Sequence, residues 1–471
     1  MFESTIKVQY KVGHAVLLHR KMINMKTSNF YKNFFSIYIL LVLQNVLTLS
    51  VNLTDNIMLG AYSEISLSGV TAVNQIQFIF QQMLSAFAEG AVILGSQYFG
   101  KKDIRSIKKI GNVAMRFGIG IALILFGIVT FFPVPVMHIF TTETAIVKEG
   151  CVYLAIIRFT YLFFAVTTIL LATLRTVQVV KIALMLSIVT LVVNYGINYT
   201  LIFGRFGAPR LGVTGAAIGT LAARILECGI VIFYSLKKEK ILDLKFRDYF
   251  KQMDREILAD YGKVTRPMFL VQSLWGINTA LQTAILGHMT ARAIAANSVA
   301  SNLFLLVKSA AVGACSTASV IIGKAVGEGD EVQVIQYSRR LQKLFLAIGI
   351  CSGVTLYFLR IPILGIYNLS EETRAMANSF LIILSAVCVG MSYQMPTNNG
   401  IIRGGGSPQI VAKIDIISIW GIVLPISFLA AFVFKASPQI VVCCLNADQW
   451  FKCIPAFLIV NYGTWIRKLT R

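Results

Sequence analysis

Asp55 is the residue whose type and place in the chain best suit chemistry. It stands near the end of an apolar run. A carboxylate there is costly unless it faces water or a partner, and such groups are functional by default. It could take and release a proton, or serve as a hard oxygen ligand for a cation such as sodium. The plainer reading is a helix-end aspartate facing an outer vestibule. Asn194 and Asn198 lie four apart, on one face of a helix. Either they ligate a cation or hydrogen-bond a carboxylate, or they bond neighbouring helices together. Gln44, Asn74, Gln75, Gln77, Gln81 and Gln82 add amides to two further apolar runs. Those from Asn74 onward form two overlapping helical stripes, one expected to line a cavity and one to face other helices.

Several more charges fall inside apolar runs. Glu89 precedes Gly90, and Glu227 follows Arg224 by three, the spacing of a local ion pair. Lys308 has no partner near it in sequence, so it must face a cavity or a carboxylate from another helix. Asp415 follows Lys413 at the start of a run and reads as interfacial. Trp275, Met391 and Tyr393, with Tyr161, Phe163, Phe164 and Met395, form either an adaptable surface for amphipathic or cationic ligands, or ordinary packing. These groups bind and release; they do not break bonds. No HExxH, GxSxG or GxxxxGK[ST] pattern occurs, so neither an enzyme nor an ATP site is expected. The eight cysteines show no CxxC pair and no His/Cys spacing. Free thiols, no bound metal and no cofactor are the expectation.

The elements that hold these residues are set by composition. Of 471 residues, 56% are hydrophobic and 14% charged, and the mean hydropathy is +0.72. A soluble domain cannot cover itself with so little polar surface. Continuous apolar runs of about 20 residues match the hydrocarbon thickness. They read as helices rather than as the alternating ten-residue segments of a barrel. The reading is all-α, with about twelve membrane spans at 33–58, 70–97, 111–132, 151–174, 182–204, 213–235, 264–287, 296–322, 341–362, 376–399, 411–434 and 438–460. The last is interrupted by Asp448 and Lys452, which either face an aqueous cavity or mark a re-entrant chain.

The net charge of +22 does not signal nucleic acid, because the basic residues lie between apolar runs. Alternate connections and the two ends hold 31 of the 43 Lys and Arg, against seven on the opposite side. That bias puts both termini in the cytoplasm of a multi-pass inner-membrane protein and requires an even number of spans. No cleavable signal peptide is seen. Residues 1–28 form a cytoplasmic tail, and 1–24 are expected to be disordered or to come from an upstream start, since MKTSNFYKNFF from Met25 reads as a natural beginning.

The chain repeats itself. Met58-Leu59-Gly60 matches Ile285-Leu286-Gly287, and Gly100 matches Gly327, both at an offset of 227; Leu174-Arg175 matches Ile402-Arg403 at 228. Two six-span lobes, 29–235 and 263–471, therefore start on the same side, as parallel repeats around a central cavity. The basic connection 236–262 joins them, and its stretch 241–258 is expected to be a helix on the cytoplasmic face.

Six stretches, in order on this twofold repeat, carry a family resemblance: NLTDNIMLG (52–60), EGAVILGSQYFGKKD (89–103), NYGINYTLIFGRFGAPRLGVTGAAIGT (194–220), TAILGHMTARAIAANSVASN (283–302), IIGKAVGEGD (321–330) and IIRGGGSP (401–408). On them the chain resembles the multidrug and toxic compound extrusion family over about 30–471. The resemblance implies a V-shaped pair of six-helix lobes that exports organic cations or other amphipathic drugs in exchange for H+ or Na+. It also implies that Asp55 couples ion to drug in the N-lobe, and that Thr220 joins Asn194 and Asn198 there. The family often carries aspartate where this chain has Asn198, which leaves Asp55 more isolated. Another branch of the family uses acidic residues on its seventh and tenth helices. Here those places fall near Trp275 and Ser392, so the chain resembles the DinF-like branch, named for DNA-damage-inducible proteins. That resemblance favours protons without excluding sodium. A small-molecule drug and membrane lipid are the expected partners, with a monomer as the functional unit. The rivals are a lipid or lipid-linked oligosaccharide flippase, which would want a strongly basic cavity, and a non-transporting sensor or scaffold, which would want soluble domains.

Overall fold

The computed structural model describes residues 2–141, 143–289, 291–365 and 370–470. The side chains of 2–29, 52, 53, 64, 246, 250, 280, 283, 284, 287, 288, 291, 292, 294, 295 and 298 are not described, so the repeat anchor Gly287 lies outside it. The described residues are almost wholly helical. The N-lobe comprises α1 (Phe2–Tyr62), α2 (Glu64–Gly100), α3 (Ile104–Phe131), the short α4 (Pro133–His138), α5 (Thr144–Ile157), α6 (Thr160–Thr176), α7 (Lys181–Phe203) and α8 (Val213–Phe233). The C-lobe comprises α9 (Arg255–Met289), α10 (Ala291–Glu328), α11 (Glu331–Leu364), α12 (Glu371–Pro396), α13 (Pro408–Ile416), α14 (Leu424–Phe428), α15 (Pro438–Leu445), α16 (Asp448–Phe451) and α17 (Cys453–Tyr462).

Nine described helical segments are long and apolar enough to cross a membrane, and α5 with α6, bent by 53°, supply a tenth. The long α9, and α15 to α17 together, complete two sets of six. The expected single helix at 438–460 is instead three short pieces. Pro455 accounts for the break near Lys452, since it has no N–H to donate to the Phe451 carbonyl; Asp448 and Lys452, one turn apart, pair as they would on an unbroken helix. Helix α1 also runs through the residues expected to be disordered; 2–32 contain no proline and only Gly13 to interrupt a helix.

Local chemistry repeats with the fold. Asp103 caps α3 by accepting from the Ser106 backbone N–H at 3.1 Å, and Asp330 caps α11 by accepting from that of Gln333 at 2.9 Å. These two caps stand at the same offset of 227 as Gly100 and Gly327. They occupy the end of the bundle that carries the basic connections.

At that end the lobes touch. A Cβ on Gly100 would overlap the Lys324 carbonyl, one on Gly327 would overlap the Gln97 carbonyl, and one on Gly323 would come within 2.8 Å of the Ser96 Cβ. Ser96 and Gly323 are again repeat mates. A residue can touch its own mate only on the axis that relates the halves, so α2 and α10 cross on the twofold. Glycine is what lets their backbones meet.

The chain after α17 then crosses this junction. The Arg467 N–H donates to the Gly405 carbonyl at 2.7 Å, and Ser407 Oγ donates to the Trp465 carbonyl at 2.8 Å. From the N-lobe, Gln97 Nε2 donates to the Arg467 carbonyl at 3.1 Å, and Gln97 Oε1 accepts from the Leu469 N–H at 2.8 Å. One glutamine thus ties the C-terminal strap to the opposite lobe.

The connection between lobes is not the surface helix expected at 241–258. After a π-helical turn at Tyr234–Lys238 it runs extended, makes a short 3-10 turn at Phe246–Phe250, and leads into α9. Its acids bond backbone instead of a helix face: Glu239 accepts from the N–H of Ile241 and of Leu242, each at 2.7 Å, and Asp248 accepts from that of Lys245 at 3.1 Å. Leu242 and Leu244 bury against the N-lobe, and Lys109 meets Asp254 at 2.8 Å.

Two expectations follow. Gly327→Val puts a side chain into the Gln97 backbone and should weaken closure by about 1–3 kcal/mol. The readout is the rate at which a cysteine at Ser96 reacts with a water-soluble maleimide. It should rise about tenfold; an unchanged rate would mean the junction is not a closure. The second concerns pH. Hydrogen bonding from Lys109 holds the Asp254 carboxyl below its usual range. The Asp248 carboxyl is also low: burial opposes this, but the bonds from Lys251 and the Lys245 backbone outweigh it. A carboxyl depressed in the folded state stabilises above its unfolded pKa, about 3.9, and loses that contribution as pH falls through its lower folded value. Amide-exchange protection of 241–254, corrected for intrinsic rates, should therefore hold from pH 8 to about 4 and fail only below. Loss between pH 8 and 6 would contradict the pairing.

Candidate functional site

The far half of the N-lobe gathers the residues singled out around Asp55. Asp55 lies on α1, and α7 packs directly beside it. Asn198 Nδ2 donates to Asp55 Oδ1 at 2.7 Å and also reaches Asn194 Oδ1 at 3.3 Å. Asn194 Nδ2 then donates to Thr220 Oγ1 on α8 at 3.3 Å. The structure thus joins Asp55, Asn198, Asn194 and Thr220 in one hydrogen-bonded line across three helices. Asn198 is fully buried, and its Oδ1 has no hydrogen-bond partner. That oxygen lies against Gly219, where a Cβ would overlap it. Gly215, one turn earlier on α8, faces the Leu201 backbone in the same way. Two glycines on one face of α8 let it close on α7 tightly enough to carry the amide line.

No carboxylate–cation pair engages Asp55 among the described residues. Arg224, a cation whose field reaches Asp55, is held by Glu227 at 2.6 Å and lies 4.9 Å from the Phe164 ring centroid. Arg224 still acts electrostatically on Asp55, from outside bonding distance. The carboxylate therefore meets a fixed amide dipole and a distant cation, with no counterion in contact. The expected local pair of Arg224 with Glu227 is present. Tyr153 on α5 is buried beside this cluster, and its hydroxyl reaches Thr220. Sequence gave no hint of Tyr153, because the bend between α5 and α6 sets which face of α5 turns inward.

Glu89 is not free. It pairs with Arg175, which also reaches Ser316 Oγ of the C-lobe at 3.4 Å. This bridge lies between Asp55 and the closed end. Gln44, Asn74, Gln77 and Gln81 are all partly exposed. Trp275 is partly exposed too, while Met391 is buried within the C-lobe. Tyr393 donates its hydroxyl to Gln342 Oε1 on α11 at 2.8 Å, which turns it toward lobe packing.

The C-lobe has no copy of the Asp55 site. The repeat offset of 227 places Gln282 opposite Asp55, and among the described residues Gln282 bonds its helix neighbour Asn278, at 3.5 Å. The C-lobe instead holds a buried charge chain that sequence did not assemble. Lys452 Nζ lies 2.9 Å from Asp415 and 3.0 Å from Asp448, and Arg403 meets Asp415 at 3.6 Å. Gln449 Nε2 donates to Asp448 at 2.9 Å, and Gln394 Nε2 donates to Gln449 Oε1 at 2.7 Å. Asp415 is thus an interior partner rather than an interfacial residue, and Asp448 and Lys452 neutralise each other rather than face water. No group of three or more metal-ligating side chains occurs among the described residues.

Comparison with known proteins agrees with this architecture. The chain is 24% identical over 417 residues to the uncharacterized transporter YisQ of Bacillus subtilis, covering 88% of this chain and 90% of that one. It is 24% identical over 431 residues to a probable multidrug resistance protein NorM of Thermotoga maritima, covering 91% and 92%. Among solved structures, an outward-facing multidrug resistance MATE transporter of the MOP superfamily superposes with a TM-score of 0.80 at 17% identity, covering 91% of this chain and 94% of that one. The bent form of the Vibrio cholerae MATE transporter VcmN gives a TM-score of 0.82 at 16% identity, covering 93% and 98%. The MatE family profile matches residues 41–200 and 267–429, one stretch in each lobe. With both lobes matched, the chain belongs to the MatE family of multi-pass membrane transporters, which are not enzymes.

Proposed function

We propose that this transporter is an exporter that exchanges organic cations or other amphipathic drugs for H+ or Na+, with Asp55 as the coupling group. One observation carries the reading: Asp55 is held by the Asn198 amide and has no cation in contact among the described residues. A carboxylate left uncompensated inside the membrane gains by binding a cation from the side it faces. Asn198 suits a proton. Its Nδ2 donates to the ionised carboxylate, and turning the amide over would let the now unpartnered Oδ1 accept from the protonated acid. Sodium would instead draw on the oxygens of Asp55, Asn194 and Thr220.

The basic connections place the closed end in the cytoplasm by the positive-inside rule. The described geometry is then sealed inward, with Asp55 in the outer half. Ion binding at Asp55 favours one packing of α1 against α7 and α8, and drug binding between the lobes favours another. Each ligand shifts the lobes only by its difference in affinity for the two packings. The DinF-like placement follows from Trp275 and Ser392 standing where the other branch has acids. The functional unit in this reading is a single chain, because one chain supplies both lobes.

The test is ethidium efflux from proteoliposomes under an imposed pH gradient or an imposed sodium gradient. Wild type should export under one of the two. Asp55→Asn should cut gradient-driven export about 100-fold, the order expected when an ion site worth about 2.7 kcal/mol is lost. Asn198→Ala, which removes the donor but keeps the acid, should cost less and move the pH at which export is half-maximal. Export by Asp55→Asn at the wild-type rate would remove Asp55 from the mechanism. A folded wild type that moves no ethidium under either gradient would end the organic-cation reading.

A further inference from the structure

Lys308 on α10 is a partly exposed cation that makes no ion pair among the described residues. The described acids inside the C-lobe membrane region, Asp415 and Asp448, are engaged by Lys452 and Arg403. Lys308 has no carboxylate within 4 Å among the described residues. Its Nζ sits 5.1 Å from the ring centroid of Trp275, and the field of Asp448 reaches it from farther off. An indole face and a remote carboxylate both favour an ammonium ion there, yet neither supplies a hydrogen bond. Its ammonium carries three donors, and no acceptor lies within hydrogen-bond reach of them among the described residues.

The surroundings are those of a ligand subsite. Trp275 on α9 meets Phe78 on α2 with ring centroids 5.7 Å apart, so an aromatic wall bridges the two lobes. Gln77 and Gln81 flank Phe78 on α2, and both are partly exposed. Lys308 stands 19 residues before Gly327 on α10, roughly 28 Å from the closed junction at the helical rise. It therefore lies well away from the closed junction, at the interface between the lobes.

We propose that Lys308 and Trp275 form an anion-accepting aromatic subsite. Lys308 binds the carboxylate or sulfonate of an amphipathic ligand whose ring lies along Trp275 and Phe78. This deepens the exporter reading and rests on it only for calling the ligand a substrate. The class selected is the aromatic zwitterion, whose anion meets Lys308 and whose cation is left toward the N-lobe amides. A plain organic cation meets repulsion at the same place.

The experiment is equilibrium binding to the full chain in lipid nanodiscs, read by fluorescence anisotropy without any gradient. The probes are rhodamine B, a zwitterion with a benzoate, and its ethyl ester, a cation on the same ring system. Wild type should bind rhodamine B about tenfold more tightly than the ester, the scale of one charge-assisted hydrogen bond. Lys308→Gln should lose that preference by weakening rhodamine B alone, while Lys308→Arg should keep it. The ester serves as the folding control, since a misfolded variant loses both probes and Lys308→Arg then decides. Equal weakening of both probes in Lys308→Gln with a folded Lys308→Arg that shows no preference, or a wild type that prefers the ester, would overturn the subsite. Binding preference without export of either probe would leave the subsite standing and sink the exporter reading instead.

Discussion

A charge inside a hydrocarbon layer must be answered, and the answers this chain gives organise the whole molecule. Glu89 is answered by Arg175, Glu227 by Arg224, and Asp415 and Asp448 by Lys452. The Glu89–Arg175 and Asp415–Lys452 pairs fix where helical segments meet, while Arg224 and Glu227 pair within α8. Among the described residues, Asp55 is answered by amides without a cation in contact. A neutral donor satisfies one hydrogen bond of a carboxylate without cancelling its charge, so this site stays open to a mobile cation while the others are closed. The helices around it are built for that role: Gly215 and Gly219 bring α8 against α7, and α7 presents two amides in line.

The twofold repeat supplies the frame, and its violations supply the function. Where the halves agree, at Gly100 with Gly327, Ser96 with Gly323 and Asp103 with Asp330, they make caps and an axial contact. Those features need only backbone approach and helix ends, which both halves can share. Where they differ, the chemistry differs. Gln282 stands opposite Asp55 and carries no charge. The C-lobe spends its acids internally and leaves a cation, Lys308, at the lobe interface. The result is a carboxylate on one side of the central space and an ammonium on the other. The strap anchored by Gln97, the C-terminal end of the C-lobe, crosses the end where both halves coincide.

Much of this was legible in the sequence, for identifiable reasons. Span count, lobe division and the parallel repeat follow from hydropathy, basic loops and spaced anchors, all of which are local quantities. The pairing of Asn194 with Asn198 was legible because two residues four apart on one helix must share a face, whereas their grouping with Asp55 was what the family resemblance implied. What stayed hidden depends on contacts between distant segments. Asp415, Asp448 and Lys452 read as separate oddities, because only folding brings α13 and α16 together. Met391 and Tyr393 could not be assigned a side, since in a helix apolar all round the hydropathy does not distinguish lobe interior from cavity. The connection at 241–258 read as a helix by composition. Glu239 and Asp248 prevent one by capturing backbone N–H groups locally, a competition that periodicity does not register.

The central claim is that the charge state of Asp55 biases which end of the molecule is closed. Arg105 and Val332 are exposed repeat mates at the starts of α3 and α11, on either side of the closed junction. Spin labels at Arg105→Cys and Val332→Cys, with accessible native cysteines replaced, report that end directly through their distance distribution. In wild type the distribution should shift on acidification, or on adding sodium at constant pH, and the effective ion names the coupling. In Asp55→Asn it should stay in one state under both treatments. A variant lacking the carboxylate that responds as wild type does would contradict the account.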